Sequence, residues 1–172
     1  MTAVAGVVLR AGAILALLLL AACGFRPLYG QQALTPQVSA EMALIDIRPI
    51  DERIGLVLRN ELLDLLTPLG TPAQPRYVLT INLVEARQGL AVERDATVTR
   101  FNLTLNADFR LSDAATRQPL NTGSARSTAA FSVVRADFAN VIAERDAEDR
   151  AARVIAEEIV TRLSVYFARR VR

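Results

Sequence analysis

The strongest constraint on the fold lies between Arg100 and Leu111. Phe101, Leu103, Leu105, Ala107, Phe109 and Leu111 alternate without a break with Arg100, Asn102, Thr104, Asn106, Asp108 and Arg110. Successive strand side chains point to opposite faces, so a strict period of two predicts a strand with one buried face and one wet face. Strands covered on both sides read as continuous apolar runs instead. This strand therefore belongs to a sheet with an open face, which is the habit of antiparallel sheets.

The flanking segments fit such a sheet. Tyr77 to Ala86 predicts a strand with Tyr77, Leu79, Ile81 and Leu83 on one side and Thr80 and Asn82 on the other. Arg87 to Asp95 reads as a polar connection containing Gly89. Ser112 to Leu120 reads as a turn, and Asn121 to Val134 as a weaker strand rich in Ser, Thr and Ala. Met42 to Arg48 predicts a short first strand ended by Pro49.

Two helices complete the pattern. In the first, Asp51 stands where an N-cap acceptor is useful. Ile54, Leu58, Leu62, Leu65 and Leu69 make an apolar stripe, and Pro68 and Gly70 stop the helix. The second is expected from Asp137 to about Ala168. Its stripe is Phe138, Val141, Ile142, Ala152, Ile155, Ile159, Leu163 and Tyr166, and its charged middle, Glu144 to Arg150, reads as solvated. The order β-α-β-β-β-α predicts an α+β two-layer sandwich, with two helices packed on one face of a four-stranded mixed sheet. The last three strands are expected to form an antiparallel meander. The first is expected to pair in parallel through its helical crossover.

The N-terminal segment is of another kind. Arg10 precedes an apolar run from Ala11 to Leu20, followed by Ala21, Ala22 and Cys23, the only cysteine in the chain. A charged start, a short apolar block and small residues at a cut site are the layout of a secretory signal. The block is short of the roughly 20 residues of a membrane span. Leu20-Ala21-Ala22-Cys23 resembles the bacterial lipobox, in which the cysteine becomes a lipid-modified first residue, and several acyl chains on one residue anchor firmly. The expected organisation is a cleaved lipoprotein signal peptide over residues 1–22, a lipidated tether over 23–40 and a single α+β domain over 41–172. Pro27, Gly30 and Pro36 interrupt the tether. Its apolar residues Phe25, Leu28 and Tyr29 are expected to dock on this domain or on a partner.

Composition narrows the function. There is no His, and all 20 basic residues are Arg. With Cys23 lipidated, no disulfide or thiolate metal site is available. No nucleophile–base pair, phosphate loop or metal-spaced acid cluster is visible. The carboxylate pairs Glu85 with Glu93 and Asp146 with Asp149 read as solvated charge. The expectation is no enzyme, no metal and no cofactor beyond the acyl chains on Cys23. Only Arg10 of the basic residues precedes Cys23, so the remainder is near neutral against its 18 acidic residues. That argues against a nucleic-acid partner, which calls for a clear basic excess.

Cys23-Gly24-Phe25-Arg26-Pro27-Leu28-Tyr29 resembles the start of the mature lipopolysaccharide-assembly lipoproteins, the LptE family, in its alphaproteobacterial form. The segment from Asp137 through Phe138, Asn140 and Glu144 to Ala147 resembles the start of that family's last helix. The resemblance implies an outer-membrane lipoprotein facing the periplasm, lodged as plug and assembly partner in the large LptD-type β-barrel that inserts lipopolysaccharide. It implies the same two-helix, four-strand sandwich, and Gly24 after the lipidated cysteine is consistent with outer-membrane sorting. It also implies lipopolysaccharide binding at Arg94 and Arg145, whose guanidinium groups would each grip a phosphate or carboxylate in bidentate fashion. The rival reading is an auxiliary lipoprotein of a lipid-trafficking ABC-type transporter, which shares the lipobox and a small α+β domain. A periplasmic hydrolase would require a nucleophile–base pair.

Overall fold

The computed structural model describes residues 35–68, 70–92, 98–134 and 136–170. In chain order the elements are helix α1 (Pro36–Met42), strand β1 (Ile45–Ile47), helix α2 (Glu52–Leu66), strands β2 (Tyr77–Val92), β3 (Val98–Asp113) and β4 (Pro119–Ser132), and helix α3 (Asp137–Arg170). The sheet order is β1-β2-β3-β4. β1 runs parallel to β2, with Ile45 opposite Tyr77, and β2, β3 and β4 form an antiparallel meander. The expected α+β sandwich is present, with three helices rather than two among the described residues.

The long alternating strand behaves as its pattern demands. Leu103, Leu105, Ala107, Phe109 and Leu111 are buried, while Asp108 and Arg110 are exposed. Opposite them on the inner face stand Leu79, Ile81 and Leu83 of β2. On the other side, β4 offers only Gly123, Ala125, Ser127 and Ala129. Small residues permit a close approach, and α3 answers with Ala147, Ala151, Ala152 and Ala156, all buried. The weak apolar signal of β4 is thus a packing feature: the bulk that fills this part of the core comes from Ile155, Ile159, Leu163 and Phe167 of α3. At Gly123 an added Cβ would stand 2.7 Å from the Phe109 ring.

Several expectations are corrected. Helix α1 occupies residues assigned to the tether and to the start of the first strand, and it buries Val38 and Met42. Thr35 and Pro36 open it, and Pro is well suited to a first helical turn because its missing N–H has no partner there. In α2 the buried line is Ile54, Gly55, Leu58, Leu62 and Leu66. Leu65 is exposed, because the face against α3 and β1 follows a three-to-four spacing through Leu66 instead. Leu69 lies outside the described residues. Asp51 holds the N-cap position but its side chain makes no capping bond. β2 continues to Val92, through most of the expected polar connection, because β3 begins at Val98 and pairs with it. α3 is unbroken from Asp137, so the charged middle is helix throughout.

Gly55 has a specific task. A Cβ there would stand 2.8 Å from the Ile50 carbonyl oxygen and 2.7 Å from the Ile50 side chain. The chain turns tightly from β1 into α2, and only a residue without a side chain fits that approach.

Candidate functional site

Three regions carry polar or exposed side chains in arrangements beyond ordinary solvation. The first lies under the N-terminal half of α3. Glu85 and Arg87 continue the inner-face parity of Tyr77, Leu79, Ile81 and Leu83, opposite Leu105 and Leu103 of β3. Their charges point towards α3 rather than to the open sheet face. Arg87 donates to Glu85 over 2.6 Å and also faces Glu144, and it reaches Glu148 at 3.8 Å. Arg53 at the start of α2 pairs with Glu148. Glu148 is only 7% exposed, so one side of the charged middle of α3 is buried, while Arg145, Asp146 and Arg150 are exposed as expected. The hydrogen bond to Glu85 and the charges of Glu85 and Glu144 raise the Arg87 pKa against the effect of burial, so this guanidinium stays charged. The arrangement links β2, α2 and α3 through paired charges.

The second region is the overhang of α3. At about 1.5 Å per residue its 34 residues span about 51 Å, against about 22 Å for α2. The first two turns therefore run on without α2 beside them. Phe138 is 79% exposed, and Val141 and Ile142 are about half exposed. These three were expected in the core. Positions 138, 141, 142 and 145 share one side of the helix, so Arg145 stands beside the apolar group. Asn140 fixes how α3 leaves the sheet: its side-chain amide donates to the Val134 carbonyl over 2.8 Å, and its oxygen accepts from the Val134 N–H over 2.7 Å. Phe101 of β3 and Phe131 of β4 stack with centroids 5.6 Å apart.

The third region is the open face of the sheet. In register across it stand Thr80, Arg110 and Thr122, then Asn82, Asp108 and Ser124, then Thr104 with Thr128. The two threonine hydroxyls are hydrogen-bonded over 3.1 Å. No described helix covers this face, so hydroxyls, amides and a few charges form a polar surface, hollowed around Asn82, Asp108 and Arg110. Side-chain hydroxyls and amides both give and accept hydrogen bonds, which suits such a face to a polar protein wall or to sugar hydroxyls.

The site residues expected from the sequence divide as follows. Arg145 is exposed and has no ion pair or hydrogen bond among the described residues. Arg94, Cys23 and the aromatic tether residues lie outside the described residues. Of the carboxylate pairs, Glu93 also lies outside, and Glu85 is bonded to Arg87. Asp146 pairs with Arg150 one turn on, so it forms no dyad with Asp149. Among the described residues no group of three or more His, Cys, Asp or Glu could hold a metal ion, and no helix is long and apolar enough to cross a membrane.

This architecture recurs in solved bacterial lipoproteins. A putative lipoprotein from Caulobacter crescentus superposes with a TM-score of 0.65 at 23% identity, covering 76% of this chain and 96% of that one. A minor lipoprotein from Acinetobacter baumannii gives 0.56 at 16% identity, covering 70% and 90%. The rare lipoprotein B of Shewanella oneidensis gives 0.56 at 10% identity, covering 74% and 98%. Identities this low establish the fold they share, a helix-backed four-stranded sheet. No curated protein matches the chain significantly. The model of the lipopolysaccharide-assembly family, LptE, matches residues 41–163, and the chain belongs to that family.

Proposed function

We propose that this chain is an outer-membrane lipoprotein, anchored through acyl chains on Cys23, that plugs and helps assemble the large LptD-type β-barrel inserting lipopolysaccharide into the outer leaflet. The family match over residues 41–163 carries the reading. The lipobox-like Leu20-Ala21-Ala22-Cys23 supports the anchor and the periplasmic side of the outer membrane. The polar sheet face supports a fit inside a barrel, whose inner wall is polar. Its role is non-catalytic. The fixed charges under α3 hold the two layers together, and the open face and the overhang are left for a partner.

Lipopolysaccharide binding at Arg94 and Arg145 belongs to the same reading. Arg145 is an exposed guanidinium next to Phe138, Val141 and Ile142. A phosphate held by the guanidinium and an acyl chain laid on the apolar group would satisfy both halves of an amphiphile.

The decisive experiment is affinity purification of the full-length protein from its own outer membrane in mild detergent, with mass spectrometry of what accompanies it. The expected result is a large β-barrel in equal amount. Recovery of transporter subunits instead would overturn the plug reading in favour of an auxiliary transport lipoprotein.

A further inference from the structure

At the far end of α3 from Arg145 lies a groove of about 550 Å³, between the last turns of the helix and the start of β4. The separation from Arg145 to Arg162 along the helix is about 25 Å at 1.5 Å per residue. Arg162, Arg169 and Arg170 line the groove together with the Tyr166 and Thr122 hydroxyls. Phe109 and Val165 supply apolar lining.

Arg162 faces Glu158, 2.5 Å away. Arg170 donates to the Tyr166 hydroxyl over 2.7 Å, and Arg169 has no ion pair among the described residues. Single arginines elsewhere, Arg110 and Arg126 among them, also lack a described carboxylate partner, so what sets the groove apart is that three guanidinium groups share one concavity. No described Asp or Glu lines it. The C-terminal dipole of α3 adds about half a negative charge. Glu158 adds a full one, and Glu41, paired with Arg76, acts on Arg170 from nearby. Three guanidinium groups still outweigh these, and a net positive field remains over an apolar floor.

We propose that this groove binds a phosphate group carried beside an apolar chain, the headgroup chemistry of an anionic lipid. Arg169 takes the phosphate through its planar fork and Arg162 adds a second guanidinium. Tyr166 stays oriented by Arg170. The first part of the acyl chain lies along Val165. Two lipids carry this chemistry, an anionic phospholipid of the leaflet and a phosphorylated glycolipid. The inference rests on the assembly reading only for the natural source of the lipid. Loss of barrel capture leaves the groove intact, and loss of groove binding leaves barrel capture intact.

The test uses the full-length protein in neutral detergent at low salt. Inorganic pyrophosphate, dihexanoylphosphatidylglycerol, dihexanoylphosphatidylcholine and a monophosphorylated, acylated glucosamine are titrated while the guanidinium Nε–H signals are followed by NMR. The expected result is saturable binding of the anionic probes, with the Arg169 signal moving first. Arg162→Gln with Arg169→Gln should weaken that binding at least about ten-fold, the loss expected for a charged hydrogen-bonding group. Arg117→Gln, an exposed arginine in the turn before β4 and outside both proposed lipid sites, should leave it unchanged. Stronger binding of phosphatidylglycerol than of the glucosamine lipid assigns the phospholipid, and the reverse assigns the glycolipid. Equal binding of phosphatidylcholine overturns the inference. So does a loss with Arg117→Gln that matches the loss with the groove variant. The wild-type Arg169 signal decides the matter even if the double variant folds poorly.

Discussion

The Tyr77 hydroxyl donates a 2.6 Å hydrogen bond to Glu41 Oε2, tying the first residue of β2 to helix α1 across 36 positions of the chain. Arg76 donates to the other oxygen of the same carboxylate over 3.2 Å. The Tyr77 ring is 2% exposed and meets Phe167 edge-on at 5.1 Å between centroids. One phenol thus joins α1, the sheet and the last turn of α3.

Tyr77→Phe keeps the ring packing and removes the bond. Hydrogen bonds to charged groups contribute about 1.5–3 kcal/mol, and partial exposure of Glu41 places the expected loss at the lower end, about 1–2 kcal/mol. Burial, then the Glu41 hydrogen bond, push the Tyr77 pKa up to about 12 from 10.0. The folded state therefore holds the phenolic proton more tightly than the unfolded one. That contribution is complete below pH 10 and is lost as the pH rises through 12. Urea denaturation of wild type and variant at pH 8 and pH 11 should show the gap between them narrowing at the higher pH.

The turn into α2 gives a sharper stability test. Gly55→Ala places a methyl 2.8 Å from the Ile50 carbonyl oxygen, inside any real contact distance. The backbone must shift, and overpacking of this kind costs about 1–3 kcal/mol. Helix propensity alone favours Ala by about 1 kcal/mol in a helix interior, so the sign of the change separates the two effects. Thermal unfolding with a lowered midpoint supports the steric account.

Under α3, Arg87 stands among three carboxylates, Glu85, Glu144 and Glu148. Arg87→Met leaves them with Arg53 alone. Breaking a buried ion pair by removing one partner costs about 3–5 kcal/mol, and the half-exposed Arg87 side chain reduces this to about 1–2 kcal/mol. Adding Glu144→Met should return part of the loss, because it removes one of the stranded charges. A double-mutant cycle by chemical denaturation reads that coupling directly. Strictly additive losses would mean that the two residues do not act together.

The fold was legible where a period could be carried through several residues. Strand β3, the inner side of β2, and the later turns of α3 follow their patterns. What escaped were places where tertiary contacts reassign a local signal. Thr35-Pro36 is a sound helix start, but a proline in a tether also reads as a breaker, and only the burial of Val38 and Met42 decides it. Glu85 fell within the expected strand, but Arg87 suggested the start of a polar connection. Continuing the period of two past Leu83 would have put both on the inner face, beneath α3. Glu148 could not be told from a solvated residue by sequence, since its partners Arg53 and Arg87 come from two other elements. Asn140 likewise gives no pattern, because its double bond to Val134 is a feature of one particular turn.

The overhang of α3 supplies the prediction that separates folding from function. Phe138 and Ile142 matched the apolar helical period, so core packing was expected of them, yet they lie beyond the start of α2 and remain exposed. A core pair changed to serine would cost several kcal/mol, whereas exposed positions usually stay within about 0.5 kcal/mol. Phe138→Ser with Ile142→Ser should therefore leave the thermal midpoint of the isolated protein nearly unchanged. If the overhang meets the barrel, the same variant should recover much less barrel from the outer membrane. Full recovery would move the contact to the open sheet face, and the complementary change there, Thr104→Arg with Thr128→Arg, would then be the one to lower it. Both threonines are on the side away from the helices, so the variant keeps its core while replacing two hydroxyls of that face by large cations.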